Sequence, residues 1–226
     1  MKSTREIFYK LKLLSKKWEH YFDVYDKILL PYIGKRPKLL EIGVAHGGSI
    51  EMWLKYFEND VVIYAVDANK DFLGYKFDNA EVHYSCVHQG QSDNWEAFLR
   101  DKNGFDIIID DGSHDSSDQI FTLHTLFPHL NDGGIYVIED THTSYWTEWG
   151  GGLHKQGTLI EYMKNIPDIL HVPWINHKAP AVATEIYKNI KSIAFYDSMV
   201  VIEKGPTAPK VEAVSSKYKN PNFEWN

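Results

Sequence analysis

The chain has 226 residues, 43% hydrophobic and 14% aromatic, enough to bury a sizeable core in one large domain or two small ones. Its 24 Lys and Arg stand against 31 Asp and Glu, a formal charge of −7, so no overall positive field draws a phosphate backbone, and nucleic acid is excluded as the main partner. No apolar run approaches the roughly 18 residues of a membrane span, the N-terminus leads into no signal-peptide core, and the single Cys86 cannot form an intramolecular disulfide; together these predict a cytoplasmic protein.

Ile7, Phe8, Leu11, Leu14, Trp18, Tyr21, Phe22, Tyr25, Ile28 and Leu29 recur at helical spacing and predict one long or broken amphipathic helix from Thr4 to Leu30, stopped by Pro31 and Gly34. Its other face carries Lys2, Arg5, Lys10, Lys12, Lys16 and Lys17, read as a solvated face in preference to a seat for an acidic polymer or a lipid-linked substrate. Residues 1–36 thus form an N-terminal helical segment.

From Pro37 short apolar runs alternate with helical stretches, the pattern of βαβ units in a parallel sheet. Strands are predicted at Lys38 to Ile42, Val61 to Val66, Val82 to Tyr84, Phe105 to Ile109 and Ile135 to Ile138. Helices fall at Ser49 to Phe57, Asn94 to Arg100 and Ser117 to Leu130. Two further runs, Ile193 to Tyr196 and Met199 to Ile202, are separated only by Asp197-Ser198. So short a link joins only antiparallel strands, so one strand enters the sheet reversed. This places an α/β domain at 37–204 and a polar tail at 205–226.

Ligands of open α/β sheets sit beyond the carboxyl ends of the strands. The first such segment, Glu41-Ile42-Gly43-Val44-Ala45-His46-Gly47-Gly48-Ser49, lets the backbone turn sharply and approach a ligand at the next helix start. Its spacing is not the G-x-G-x-x-G of a pyrophosphate turn, and Glu41 two residues before the first glycine suits a ligand without phosphate. Asp67, after the second apolar run, could accept both ribose hydroxyls of an adenosine. The fourth strand ends in Asp110-Asp111-Gly112-Ser113-His114 and the fifth in Glu139-Asp140-Thr141-His142. If these acids share a rim, a proton or a cation must compensate them, and oxygen-only donors suit Mg²⁺.

The glycine segment resembles the first motif, E/D-x-G-x-G-x-G, of the class I S-adenosylmethionine-dependent methyltransferases, with Ala45 at the middle glycine. The resemblance implies a Rossmann-like seven-stranded α/β sheet, parallel with one reversed strand, and helices on both faces. A narrower likeness lies in Asp111-Gly112-Ser113-His114, Leu126-Phe127-Pro128-His129-Leu130, Gly133-Gly134 and Val137-Ile138-Glu139-Asp140-Thr141 with Tyr145-Trp146. These segments are similar to the metal-dependent sugar O-methyltransferases of macrolide biosynthesis and to the cephalosporin hydroxylase-type family. That likeness implies Asp111, Glu139 and Asp140 as magnesium ligands and His114 as the base, with His142 its competitor. Glu41, Gly43, Ala45, Gly47, Ser49, Asp67 and Asp110 would meet S-adenosylmethionine. Gln91 and Ser92, in the segment Gly90-Gln91-Ser92-Asp93, would face its adenine.

The expected reaction is transfer of a methyl group to a sugar hydroxyl of a glycan or a glycosylated natural product. Tyr145, Trp146 and Trp149 stack on the sugar, within a covering loop that Gly150-Gly151-Gly152 lets move. A homo-oligomer is compatible with this reading. Two alternatives differ in class: a component of a hydroxylase-like system that binds the methyl donor without transferring methyl, and a nicotinamide-dependent dehydrogenase, which the glycine spacing disfavours.

Overall fold

The computed structural model describes residues 2–171 and 189–206. Its strands are β1 (Lys38–Ile42), β2 (Val62–Asp67), β3 (Glu81–Cys86), β4 (Phe105–Asp110), β5 (Leu130–Ile138), β6 (Ile190–Tyr196) and β7 (Met199–Lys204). They form one seven-stranded sheet in the order β3-β2-β1-β4-β5-β7-β6. Neighbours pair in parallel from β3 to β5, whereas β7 runs antiparallel to both β5 and β6. The sheet is the seven-stranded methyltransferase sheet with one reversed strand. The chain leaves β1 for one edge and returns to β4 beside it, so the switch point lies between the ends of these two strands.

Side chains alternate between the two faces of a strand. Leu39, Ile63, Ile107, Ile109, Ile135 and Val137 point to one face, packed on α2 (Tyr21–Leu29) and α3 (Gly48–Tyr56). Leu40, Ile108, Tyr136 and Ile138 point to the other, covered by α4 (Ser92–Leu99), α5 (Ser116–Leu126) and α6 (Leu159–Met163). Each fully buried aliphatic side chain contributes about 1.5–3 kcal/mol. The same alternation sorts the acids: Glu41, Asp111 and Glu139 continue the first row, and Asp110 the second.

The predicted Thr4 to Leu30 helix is broken. Helix α1 (Thr4–Phe8), closed by a Ser3–Glu6 capping box, is followed by residues 9–20 crossing the domain without helical structure before α2 begins. The competing partner is Glu51 on α3, whose carboxylate accepts the Lys12 N–H at 2.9 Å and the Leu13 N–H at 2.9 Å. Tertiary hydrogen bonds here replace the i→i−4 ladder. Helix α5 stops at Leu126, and a single 3₁₀ turn with Pro128 (Phe127–His129) leads into a β5 longer than predicted. Among the described residues the last helix is α7 (Ile166–Leu170). The predicted polar tail lies, beyond Pro206, outside the described residues. Among the described residues no helix is long and apolar enough to cross a membrane.

Candidate active site

At the switch point the loops after β1 and β4 touch. A Cβ on Gly43, whose φ is +92°, would stand 2.1 Å from the Asp111 carbonyl oxygen, so only glycine permits this approach. Gly47, at φ +77°, starts α3. Ala45 adopts φ +44°, a left-handed conformation that costs an alanine energy. Asp67 stabilises this turn: one carboxylate oxygen accepts the N–H groups of Val44 (2.8 Å) and Ala45 (3.1 Å), the other that of Asn69 (2.8 Å).

A cleft of about 560 Å³ opens beside this loop, lined by Gly43, Asp67, Gln89, Gln91, Gly112 and Ser113 among others. Gln89, which sequence reasoning passed over, organises its floor. Its Nε2 lies 2.8 Å from Asp110 Oδ1, and its Oε1 accepts the Ser113 N–H at 2.8 Å. Asp110 is fully buried, and burial pushes its carboxyl up to about 7. Expected on the cofactor, Asp110 instead lies beneath the cleft and holds Gln89. Ser92 opens α4 exposed, its hydroxyl on Asp93, and does not line the cleft.

A second space of about 490 Å³ joins Gly43 to His46, Ser49 and Asp67 with Asp111, His114 and Asp140, and with Leu14, Ser15 and Lys16 of the N-terminal crossing. Glu41 lies below it, fully buried; burial pushes its carboxyl up to about 7, against the Lys17 charge and the neighbouring Ser49 and Trp53 side chains.

The acids of β4 and β5 meet a cation from their own chain. Lys17 Nζ lies 2.6 Å from Asp111 Oδ2 and 2.7 and 2.8 Å from the two Glu139 oxygens, with its side chain only 1% exposed. The sequence placed Lys17 on a solvated face; the structure buries it, because the broken helix turns it inward onto the row of acids. Burial alone would lower the lysine, but Asp111 and Glu139, and then Glu41, raise it and keep it charged. Burial pushes Glu139 upward, and the neighbouring Asp111 charge adds to this. Tyr25 on α2 donates its hydroxyl to Glu139. Asp140, at φ +53°, is held by Trp18 Nε1 at 3.1 Å and by the Tyr21 hydroxyl at 2.8 Å, and that hydroxyl in turn accepts the Asp140 N–H at 3.0 Å.

The oxygens that remain face outward with His114. Its Nε2 is 3.5 Å from Asp140 Oδ2 and 3.8 Å from Asp111 Oδ1. His114 itself has φ +57°, a strained position of the kind that collects at functional sites. One ligand atom each from Asp111, His114 and Asp140 lies within 4.8 Å of the others. His142 takes a different place: its Nδ1 bonds the Ser198 hydroxyl, and its ring packs on Trp146 (4.4 Å between centroids) and edge-on to Trp18 (5.7 Å). Trp146, Trp149, Tyr145 and Trp18 are exposed around this rim, with Trp149 6.1 Å from the His114 ring. The glycine run is closed rather than loose. Gly151 and Gly152 donate to the Trp146 and Ser144 carbonyls, and a Cβ on Gly151 would lie 2.5 Å from the Thr143 oxygen.

These residues fit the two groups that the motifs imply. Carboxylates converging within bonding distance of one ammonium show that this rim compensates positive charge, and Asp111, His114 and Asp140 present outward donor atoms that could hold a divalent ion. The glycine-walled cleft can bury an uncharged nucleoside. Sequence reasoning missed Lys17, Trp18, Tyr21 and Tyr25. Their only signal was Lys17, Tyr21 and Tyr25 at a spacing of four, a helical row of polar tips among core aromatics.

The sequence profile of the methyltransferase-domain family matches residues 40–141, from β1 to the turn after the Glu139-Asp140 pair. The 8-demethyl-8-alpha-L-rhamnosyl tetracenomycin-C 2'-O-methyltransferase of Streptomyces olivaceus is 34% identical over 204 residues, 84% of this chain and 52% of that one. The mycinamicin VI 2''-O-methyltransferase of Micromonospora griseorubida is 31% identical over 82% of this chain and 48% of its own length. The chain spans about half the length of these relatives. Among solved structures, the MycE methyltransferase of the mycinamycin biosynthetic pathway, in complex with Mg and SAH, superposes with a TM-score of 0.80 at 27% identity, covering 91% of this chain and 55% of that one. Sheet order, motif placement and these relatives agree: residues 40–141 match the methyltransferase domain, the sheet is that of the class I S-adenosylmethionine-dependent methyltransferases, and the chain is similar to the sugar O-methyltransferases of natural-product biosynthesis.

Proposed function

We propose that the chain is a Mg²⁺-dependent O-methyltransferase moving a methyl group from S-adenosylmethionine to a sugar hydroxyl of a glycan or glycosylated natural product. It would work in the cytoplasm, with residues 37–204 as the methyl-transfer domain. The observation that carries this reading is the meeting of Asp111 and Glu139 on one buried cation, with Asp140 and His114 beside them, at the lip of the glycine cleft. Relatives named for methylation of sugars on tetracenomycin and mycinamicin supply the acceptor class.

When bound, the donor supplies an electrophilic methyl on sulfur, and the metal supplies Lewis-acid stabilisation of the acceptor oxygen. The protein's part is geometric and protic. The turn from Gly43 to Ser49, fixed by Asp67, and the Gln89–Ser113 floor shape the donor's seat. Asp111, Glu139 and Asp140 would hold the metal. A sugar hydroxyl is a poor nucleophile while protonated; His114 lines the same space and would take the proton, a contribution of about 10²–10⁴-fold for a placed base. Trp146 and Trp149 offer faces on which a pyranose can stack.

The test is methyl incorporation from labelled S-adenosylmethionine into sugar acceptors. Incorporation is expected to require a divalent ion and to vanish in Asp111→Asn; undiminished turnover in excess chelator rejects the metal's role. Donor binding with no product across the acceptor panel would favour the non-methylating alternative.

A further inference from the structure

The three acids assigned to the metal are already satisfied, and all by one stretch of chain. Lys17 takes Asp111 and both oxygens of Glu139, Tyr25 takes Glu139 as well, and Trp18 and Tyr21 take Asp140. An ammonium is a compact point charge with three donors, and here it stands between two carboxylates at 2.6 and 2.7 Å. Because both Glu139 oxygens contact Lys17 Nζ, a second cation can reach Glu139 only where the ammonium now sits. A divalent ion placed a few ångströms away would share Asp111 with a buried positive charge and be repelled by it. The segment carrying Lys17 is held by side-chain contacts and not by a helical ladder: residues 9–20 are not helical, Glu51 holds only the Lys12 and Leu13 N–H groups, and Leu14, Ser15 and Lys16 form one wall of the space that holds Gly43, Asp111 and His114.

We propose that Lys17 is a resident counter-ion of this site and that Lys17 and a divalent metal bind there mutually exclusively, so that metal loading expels the ammonium and lifts residues 14–18 off the rim. The proposal rests on the metal role argued above and adds to it: the N-terminal crossing is a strap whose position reports the occupancy of the metal site. Its release widens the space between the glycine turn and the acids, where donor and acceptor must meet. Without metal, the lysine keeps three neighbouring carboxylates from repelling one another and so preserves the rim.

The experiment uses Mn²⁺ alone as probe, at one fixed pH. Lysine acetylation footprinting of the wild-type protein, read by mass spectrometry, is expected to find Lys17 unreactive without metal and modified with saturating Mn²⁺, while Lys35 and Lys76, exposed and outside the crossing, react equally in both. In parallel, Lys17→Met is expected to bind Mn²⁺ more tightly than wild type by calorimetry, by about tenfold if the ammonium leaves about a tenth of the sites free. The footprint needs no variant, so misfolding of Lys17→Met would not remove the test. If wild type binds Mn²⁺ while Lys17 stays protected, the ion sits on the outward face of Asp111, His114 and Asp140 beside the lysine; exclusivity is then overturned and the metal reading survives. If neither protein binds Mn²⁺, the metal reading falls and the exchange with it. Binding by Lys17→Met alone supports the exchange in its strongest form.

Discussion

Glu41→Gln should make the protein more stable, by an amount that depends on pH. Glu41 ends the first row of core side chains, fully buried, with the neutral Ser49 hydroxyl and Trp53 indole as near neighbours. Burial is the largest cause of its raised pKa, Lys17 opposes it, and the carboxyl stands at about 7 instead of 4.5. Below about 4.5 the group is protonated in folded and unfolded chains alike, and it costs nothing through ionisation. Between these values the folded chain keeps a proton that the unfolded chain has released, so stability falls as pH rises. Above about 7 the whole penalty is present, about 3 kcal/mol at about 1.4 kcal/mol per pH unit. Glutamine fills the same space without the charge. Urea unfolding of both proteins at steps between about pH 5 and pH 8 should show the variant's advantage growing by about 2.5 kcal/mol, other titrating groups cancelling in the difference. A pH-independent difference, or one that shrinks as pH rises, would mean that Glu41 is ionised and compensated in the folded state, and would refute the reasoning.

Two further substitutions probe the supports of the site. Tyr21→Phe keeps the ring in the core but strips Asp140 of a hydrogen-bond partner on both its N–H and its carboxylate; it is expected to cost about 2 kcal/mol, seen as a lower urea midpoint with unchanged slope. Ala45→Gly should be neutral or stabilising by up to about 1 kcal/mol, because the left-handed backbone that strains alanine suits glycine. A fall in Tm for Ala45→Gly would show that the alanine methyl makes a contact worth more than the strain.

The central strands were legible because their apolar runs are short, bounded and separated by helical spacing, and Asp197-Ser198 announced the reversed strand. The acids were legible as a group through their positions just after strands. Their division of labour was not, although it follows from the alternation of a strand. Asp111 falls on the face of the N-terminal segment, and Asp110 falls on the face of Gln89, whose role comes from a loop outside any motif. Residues 9–20 hold no proline or glycine and keep their helical spacing, so nothing local foretold the break. Its cause is Glu51, 38 positions from Leu13. Lys17 looked like one of six basic residues for the same reason, since its partners lie 94 and 122 positions away. His142 follows an Asp in sequence just as His114 follows its own, but a serine at the tip of the β6–β7 hairpin claims its ring.

The grip of Asp67 on three backbone N–H groups reaches beyond geometry. It fixes the turn between β1 and α3 before any nucleoside arrives, so little ordering entropy remains to be lost when the donor enters. Of the two walls of the binding space, this one is tied by backbone hydrogen bonds to a single carboxylate, whereas the one carrying Lys17 is tied to the acids that would hold the metal. On the proposals above, the rigid half would set affinity for the donor, and the half that exchanges its ammonium for metal would discriminate among acceptors.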